Sequence, residues 1–96
     1  MDILQGFSQW LIEEGWAKKT IDSYVSDIKG YMQYCNEKGD GDQPLLSRFL
    51  FVKYKEHLIE HDYAVSTINK KINSLKVFND FLCFKQQVNQ IQDHLL

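Results

Sequence analysis

Residues 11–21 read LIEEGWAKKTI, and 47 positions later residues 58–68 read LIEHDYAVSTI. Leu, Ile, Glu, Ala, Thr and Ile recur in place, and Trp16 is answered by Tyr63. The match extends beyond the phrase: Ile28 aligns with Leu75, Lys29 with Lys76 and Tyr31 with Phe78. A chain of 96 residues with two such halves is built from two similar units, each too small to bury an apolar face alone. The halves are therefore expected to pack together as one domain.

The spacing inside each half is helical. Ile3, Leu4, Phe7, Trp10 and Leu11 follow steps of three and four, and Gly15 stands where glycine commonly ends a helix. A second helix carries Ile21, Val25, Ile28, Met32 and Cys35, and stops at EKGDGDQP, residues 37–44, the clear loop of the chain. Ser47 is placed to cap a third helix containing Phe51, Tyr54 and Leu58. A fourth carries Ile68, Ile72, Leu75, Asn79 and Leu82, with Phe78 alongside. The repeated phrase is then a joint, made of the end of one helix, a tight turn and the first turn of the next. The expected fold is all-α, a four-helix bundle made of two similar helical hairpins over residues 1–85. The Gln-rich KQQVNQIQDHLL that follows, with its sparse apolar step of Val88, Ile91 and Leu95, reads as a frayed helix or a linker over residues 86–96.

Composition narrows the class. With 44% hydrophobic residues there is enough apolar side chain for one core, and a single proline with five glycines favours long helices over a many-turned β domain. Cys35 and Cys83 lack the spacing of a zinc knuckle or a disulfide framework; a single disulfide stays open beside the main reading, small apolar residues of a reducing, cytoplasmic setting. No apolar run reaches the ~18 residues of a membrane span. Asp2 stands where a signal peptide would carry basic residues.

The net charge of −2 excludes a uniformly basic nucleic-acid binder, but the charge is unevenly spread. Residues 1–14 hold three acids and no base, whereas residues 66–85 hold four lysines and one acid, Asp80. On the fourth helix the face opposite the apolar stripe offers Ser66, Lys70 and Asn73, with Thr67 and Ser74 to one side and Lys71 flanking. The later turns show Val77, Phe81 and Phe84 there, so the helix is expected to be polar-faced at its start and central at its C-terminal half. The second helix repeats the polar start with Lys19, Thr20, Ser23 and Ser26, and Lys18 beside them. Free backbone N–H groups and the dipole attract phosphate at a helix start, hydroxyls add donors, and lysines add counterion-releasing charge. Two such starts on symmetric hairpins suit two points along a duplex. Exposed helix surfaces are also polar for no reason beyond solvation, and that plain reading stands beside the first.

FSQWLIEEGWAKKTIDSYVSDIKGYMQYC, a loop, and LSRFLFVKYKEHLIEHDYAVSTINKKINSLKVFNDFLCF together resemble the N-terminal core-binding, SAM-like domain of tyrosine recombinases and phage integrases. The most telling elements are Thr20-Ile21 with Tyr24, and Ser66-Thr67-Ile68-Asn69-Lys70 with Leu75 and Phe78, in a match from about Phe7 to Phe84. The resemblance implies a bundle lying across one side of double-stranded recombination-site DNA. It also implies a catalytic domain of the same parent protein on the other side, and a recombinase oligomer on the DNA. No cofactor is implied. In that family the second and fourth helices face DNA. Carried over, this points to Lys18, Lys19, Thr20, Ser23, Ser66, Thr67, Lys70, Lys71 and Ser74 as phosphate contacts, and to Asn73 as the candidate for a base edge. Two departures stand out. Ala17 and Ala64 occupy positions where the family often has a small polar residue, so neither helix start has a side-chain cap. Lysines replace the family's arginines, which disfavours bidentate guanine recognition.

The family's chemistry is cleavage by a tyrosine nucleophile, with arginines, a lysine and a histidine around the phosphate. This chain has one arginine, Arg48, so it is expected to be a non-catalytic domain, and Tyr24, Tyr31 and Tyr54 read as packing residues. HLIEH, residues 57–61, fits the H-x-x-E-H zinc-protease pattern, but two histidines need a third ligand. The repeat also writes Leu11, Ile12 and Glu13 in place of Leu58, Ile59 and Glu60 without either histidine, so no metal site is read there. A helical protein-interaction domain without a DNA role is the alternative, supported by the net acidity and by aromatics such as Phe49.

Overall fold

A computed structural model of the chain describes residues 3–37, 46 and 48–89, with side chains as far as 85. The described residues form four helices: α1 (Ile3–Glu13), α2 (Lys18–Glu37), α3 (Arg48–Glu60) and α4 (Val65–Asn89). The fold is all-α, as the spacing predicted. The Ser47 cap, the loop over 38–44, and Ile91 and Leu95 lie outside the described residues, as does the side chain of Val88. α4 itself runs on to Asn89, past the boundary expected at residue 85.

The two joints are built alike. After α1, Gly15 adopts φ +90°, its N–H donates to the Ile12 carbonyl at 3.0 Å, and Trp16 N–H donates to the Leu11 carbonyl at 3.2 Å. After α3, Asp62 adopts φ +60°, its N–H donates to Ile59 at 3.1 Å, and Tyr63 N–H donates to Leu58 at 3.3 Å. Both are Schellman motifs, which satisfy the last helical carbonyls by turning one residue left-handed. Glycine does this at little cost, and aspartate is among the few other residues that tolerate it. The next helix starts at once: the carbonyls of Ala17 and Ala64 accept from Ile21 and Ile68, each at 2.9 Å.

The core repeats the same symmetry. Phe7 meets Phe78 edge-on at 5.1 Å and 79°, and their partners 47 residues away, Tyr54 and Tyr31, meet at 5.1 Å and 77°. Phe7 and Phe81 lie at 5.4 Å, and the equivalent Tyr54 and Tyr34 at 5.2 Å. So α1 packs on α4 as α3 packs on α2, and a two-fold operation exchanges the hairpins. Leu11, Leu58, Ile28 and Leu75 fill the space between these aromatic clusters and are buried. Edge-to-face aromatic pairs of this kind add ~0.5–1.5 kcal/mol each beyond the area they bury.

α4 departs from the expected stripe. Phe78 and Phe81 are buried, whereas Asn79 is exposed and Leu82 only half-buried. The reason is that α4 packs against α1, α2 and α3 together, so its buried face is wider than one stripe and turns toward Phe78. Phe84 is 47% exposed, so the apolar side of its last described turns is not fully covered by the bundle.

Candidate nucleic-acid interface

α2 and α4 cross at a pair of equivalent residues. Ser74 Oγ donates to Asp27 Oδ2 at 2.6 Å, and the two positions are 47 apart. A contact between equivalent positions is carried onto itself when the halves exchange, so it lies on the two-fold axis. From this crossing each helix runs back nine residues to its start, about 13 Å at 1.5 Å per residue. A two-fold that exchanges the helices sets both starts at the same height along the axis. Lys18 and Val65, the first residues of α2 and α4, are thus equivalent positions about this axis.

Neither start carries an acid in its first turn. Alanine precedes each, so the residue before each helix offers no side-chain oxygen to the unpaired first-turn N–H groups, and no first-turn acid offsets the positive end of the dipole. Lys18, Lys19 and Ser66 are exposed there, and Thr20, Ser23 and Thr67 are half-buried beside them. Lys18 pairs with Asp22 one turn on, at 3.3 Å between exposed groups, a contact worth little in water. Lys19 pairs with no acid among the described residues. Asn73 is exposed.

The lysines of α4 are placed differently from what the pattern implied. Lys70 Nζ donates to Asp27 Oδ2 at 2.8 Å, and Lys71 Nζ lies 3.5 Å from Asp27 Oδ1. Lys70 keeps 54% of its side chain exposed, whereas Lys71 keeps 22% and sits 5.8 Å from the Tyr63 ring. In the first half the equivalent pair is Tyr24 and Trp16, edge-on at 5.5 Å. Ser74, expected on the surface beside Lys70, is fully buried. It donates to Asp27 and also lies 3.2 Å from the Lys70 carbonyl, so an outside phosphate does not reach it in this arrangement.

Asp27 itself is a buried carboxylate that reasoning from the sequence missed. Burial pushes its carboxyl up, but hydrogen bonds from Lys70 and Ser74 and the charges of Lys70 and Lys71 outweigh that and hold it below 3.8. A signal was available. Asp27 falls in the series Tyr24, Asp27, Tyr31, Tyr34, at helical steps among aromatics, and aligns with a small hydroxyl residue in the other half.

The other chemistry-bearing residues are structural in their surroundings. Tyr31 and Tyr54 are buried; burial lifts the Tyr54 phenol to about 12 and raises Tyr31 further. The Nδ1 of His61 lies 2.9 Å from the His57 carbonyl, and the His57 ring stacks near Tyr54 and Tyr34. Among the described residues no three metal-ligating side chains come together. Cys35 and Cys83 are half-buried and not joined in a disulfide. No described helix is long and apolar enough to cross a membrane.

Comparison with known proteins finds the model of the phage integrase, N-terminal SAM-like domain family matching residues 4–86. The chain is 30% identical over 84 residues to tyrosine recombinase XerC of Pediococcus pentosaceus, covering 85% of this chain and 28% of that protein. It is 31% identical over 86 residues to TnP I resolvase of Bacillus thuringiensis, covering 88% of this chain and 30% of that protein. The chain thus spans less than a third of the length of the curated relatives it matches. No solved structure gives a significant match.

Proposed function

The chain belongs to the phage integrase N-terminal SAM-like family, and from that premise we propose that it is the DNA-binding module of a site-specific tyrosine recombinase. It grips recombination-site duplex through the N-terminal halves of α2 and α4. Cleavage and joining belong to a catalytic domain of the same parent protein, within a recombinase oligomer assembled on DNA in the cytoplasm. The observation that carries this reading is the pair of equivalent helix starts, each preceded by alanine and without an acid in its first turn, with Lys18, Lys19, Thr20 and Ser23 at one and Ser66, Thr67, Lys70 and Lys71 at the other.

The chemistry suits phosphate rather than base edges. Outward N–H groups, hydroxyls and ammonium groups position a protein on the backbone without reading sequence. Asn73, exposed on α4, is the candidate for a base edge, because an amide can pair bidentately with adenine. Ser74 drops out of the contact set because it is buried, and its role passes to holding α2 against α4. The protein-interaction alternative draws on Phe49, exposed on α3.

The test is a titration with short duplex DNA at rising salt. Each neutralised phosphate contributes a slope of about −0.9 in log affinity against log salt, so three to four contacts give about −3. Binding that is undetectable at low salt, or indifferent to salt, would contradict the reading.

A further inference from the structure

One buried carboxylate faces both of the α4 lysines on which the proposed interface depends. Asp27 accepts from Lys70 Nζ at 2.8 Å and from Ser74 Oγ at 2.6 Å on one oxygen, and its other oxygen lies 3.5 Å from Lys71 Nζ. The arrangement is asymmetric although the fold is not. The first-half equivalents of Lys70 and Lys71 are Ser23 and Tyr24, so only the lysines of the second half are drawn to the axis. An approaching phosphate therefore meets ammonium groups already engaged by an anion that the protein supplies. The carboxylate is buried, while the Lys70 side chain remains half exposed and can turn one donor outward.

We infer that Asp27 tempers the DNA interface: it offsets one of the two positive charges at the axis, so that Lys70 and Lys71 together neutralise about one phosphate rather than two. The inference rests on the DNA-binding reading above. It makes the two helix starts unequal in kind. Lys19, which pairs with no acid among the described residues, contributes its full charge, whereas the α4 pair contributes half of its nominal charge. A module tempered in this way holds DNA loosely alone and leaves tight binding to the rest of its parent protein.

The chain and its Asp27→Asn variant are titrated with a mixed-sequence duplex of about 20 base pairs between about 20 and 200 mM KCl, where the slope counts released ions. Asparagine keeps an oxygen for Lys70 and Ser74 and removes the charge. The variant's slope should steepen by about 0.9, with affinity at the low-salt end up about fivefold or more. An unchanged or shallower slope in a variant with native circular dichroism overturns the inference. A second comparison leaves Asp27 in place and covers a variant that does not fold. Lys70→Gln combined with Lys71→Gln should flatten the slope by about 0.9, the loss expected for Lys19→Gln alone; a loss near twice that, about 1.8, overturns the tempering. A native chain that binds no duplex at low salt refutes the DNA reading itself, and is distinguished from these outcomes by the native titration alone.

Discussion

Phe78→Ala is expected to cost the domain about 3–5 kcal/mol, the range for removing a fully buried aromatic and leaving a cavity. Phe78 is completely buried, meets Phe7 edge-on at 5.1 Å and lies against Phe81 at 6.1 Å. Domains of this size have a total stability of about 5–10 kcal/mol, so the change removes a large share of it and lowers Tm by roughly 15–25 °C. The comparison is Phe84→Ala on the same helix, 47% exposed, where the loss should stay near 1 kcal/mol or below. Thermal melts of both variants measure this. Similar losses at the two positions would show that α4 does not face the core as described. The same reasoning makes Tyr31→Ala the equivalent lesion in the first half, because the exchange of hairpins carries Phe78 onto Tyr31.

Lys19→Glu combined with Ser66→Glu should weaken duplex binding by about 100-fold at low salt while leaving the fold intact. The two positions are equivalent, both exposed, and both in the first turn of their helices. The double substitution changes the local charge by three, from one cation to two anions, at the sites where phosphate is proposed to sit. Stability should respond with the opposite sign. A glutamate in a first turn interacts favourably with the helix dipole by about 0.3–1 kcal/mol, offset at residue 19 by repulsion from Asp22 of a few tenths. Affinity measured by fluorescence anisotropy, beside a melting temperature, separates a lost interface from a damaged fold. Undiminished binding in the folded variant would remove the helix starts from the interface.

Much of the architecture was legible because the repeat and the helical period report directly on packing. The offset of 47 identified the joints, and Gly15 marked one of the two left-handed residues. Asp62 was not recognised as its counterpart, since aspartate enters that conformation far less often and carries no unique signal. The polar starts of α2 and α4 were read correctly as exposed at Lys18, Lys19, Ser66, Lys70 and Asn73. Ser74 was misplaced for a physical reason. A helical wheel fixes a residue's angle on one helix but does not say where a second helix crosses. At the crossing a small hydroxyl lets α2 approach and satisfies Asp27. The same ignorance of the crossing hid Asp27, whose burial only makes sense once Lys70, Lys71 and Ser74 are brought to it from the other half. The loop over 38–44 and most of the C-terminal linker lie outside the described residues.

The central claim is that the starts of α2 and α4 act together as one surface toward a single polyanion. A titration of the isotopically labelled chain with duplex DNA, followed by backbone amide shifts, tests it most directly. The account predicts shifts clustered at residues 18–26 and 66–74, strongest in the first turns and rising together along one binding curve. Shifts confined to α1 and α3, with both helix starts unmoved, would contradict it.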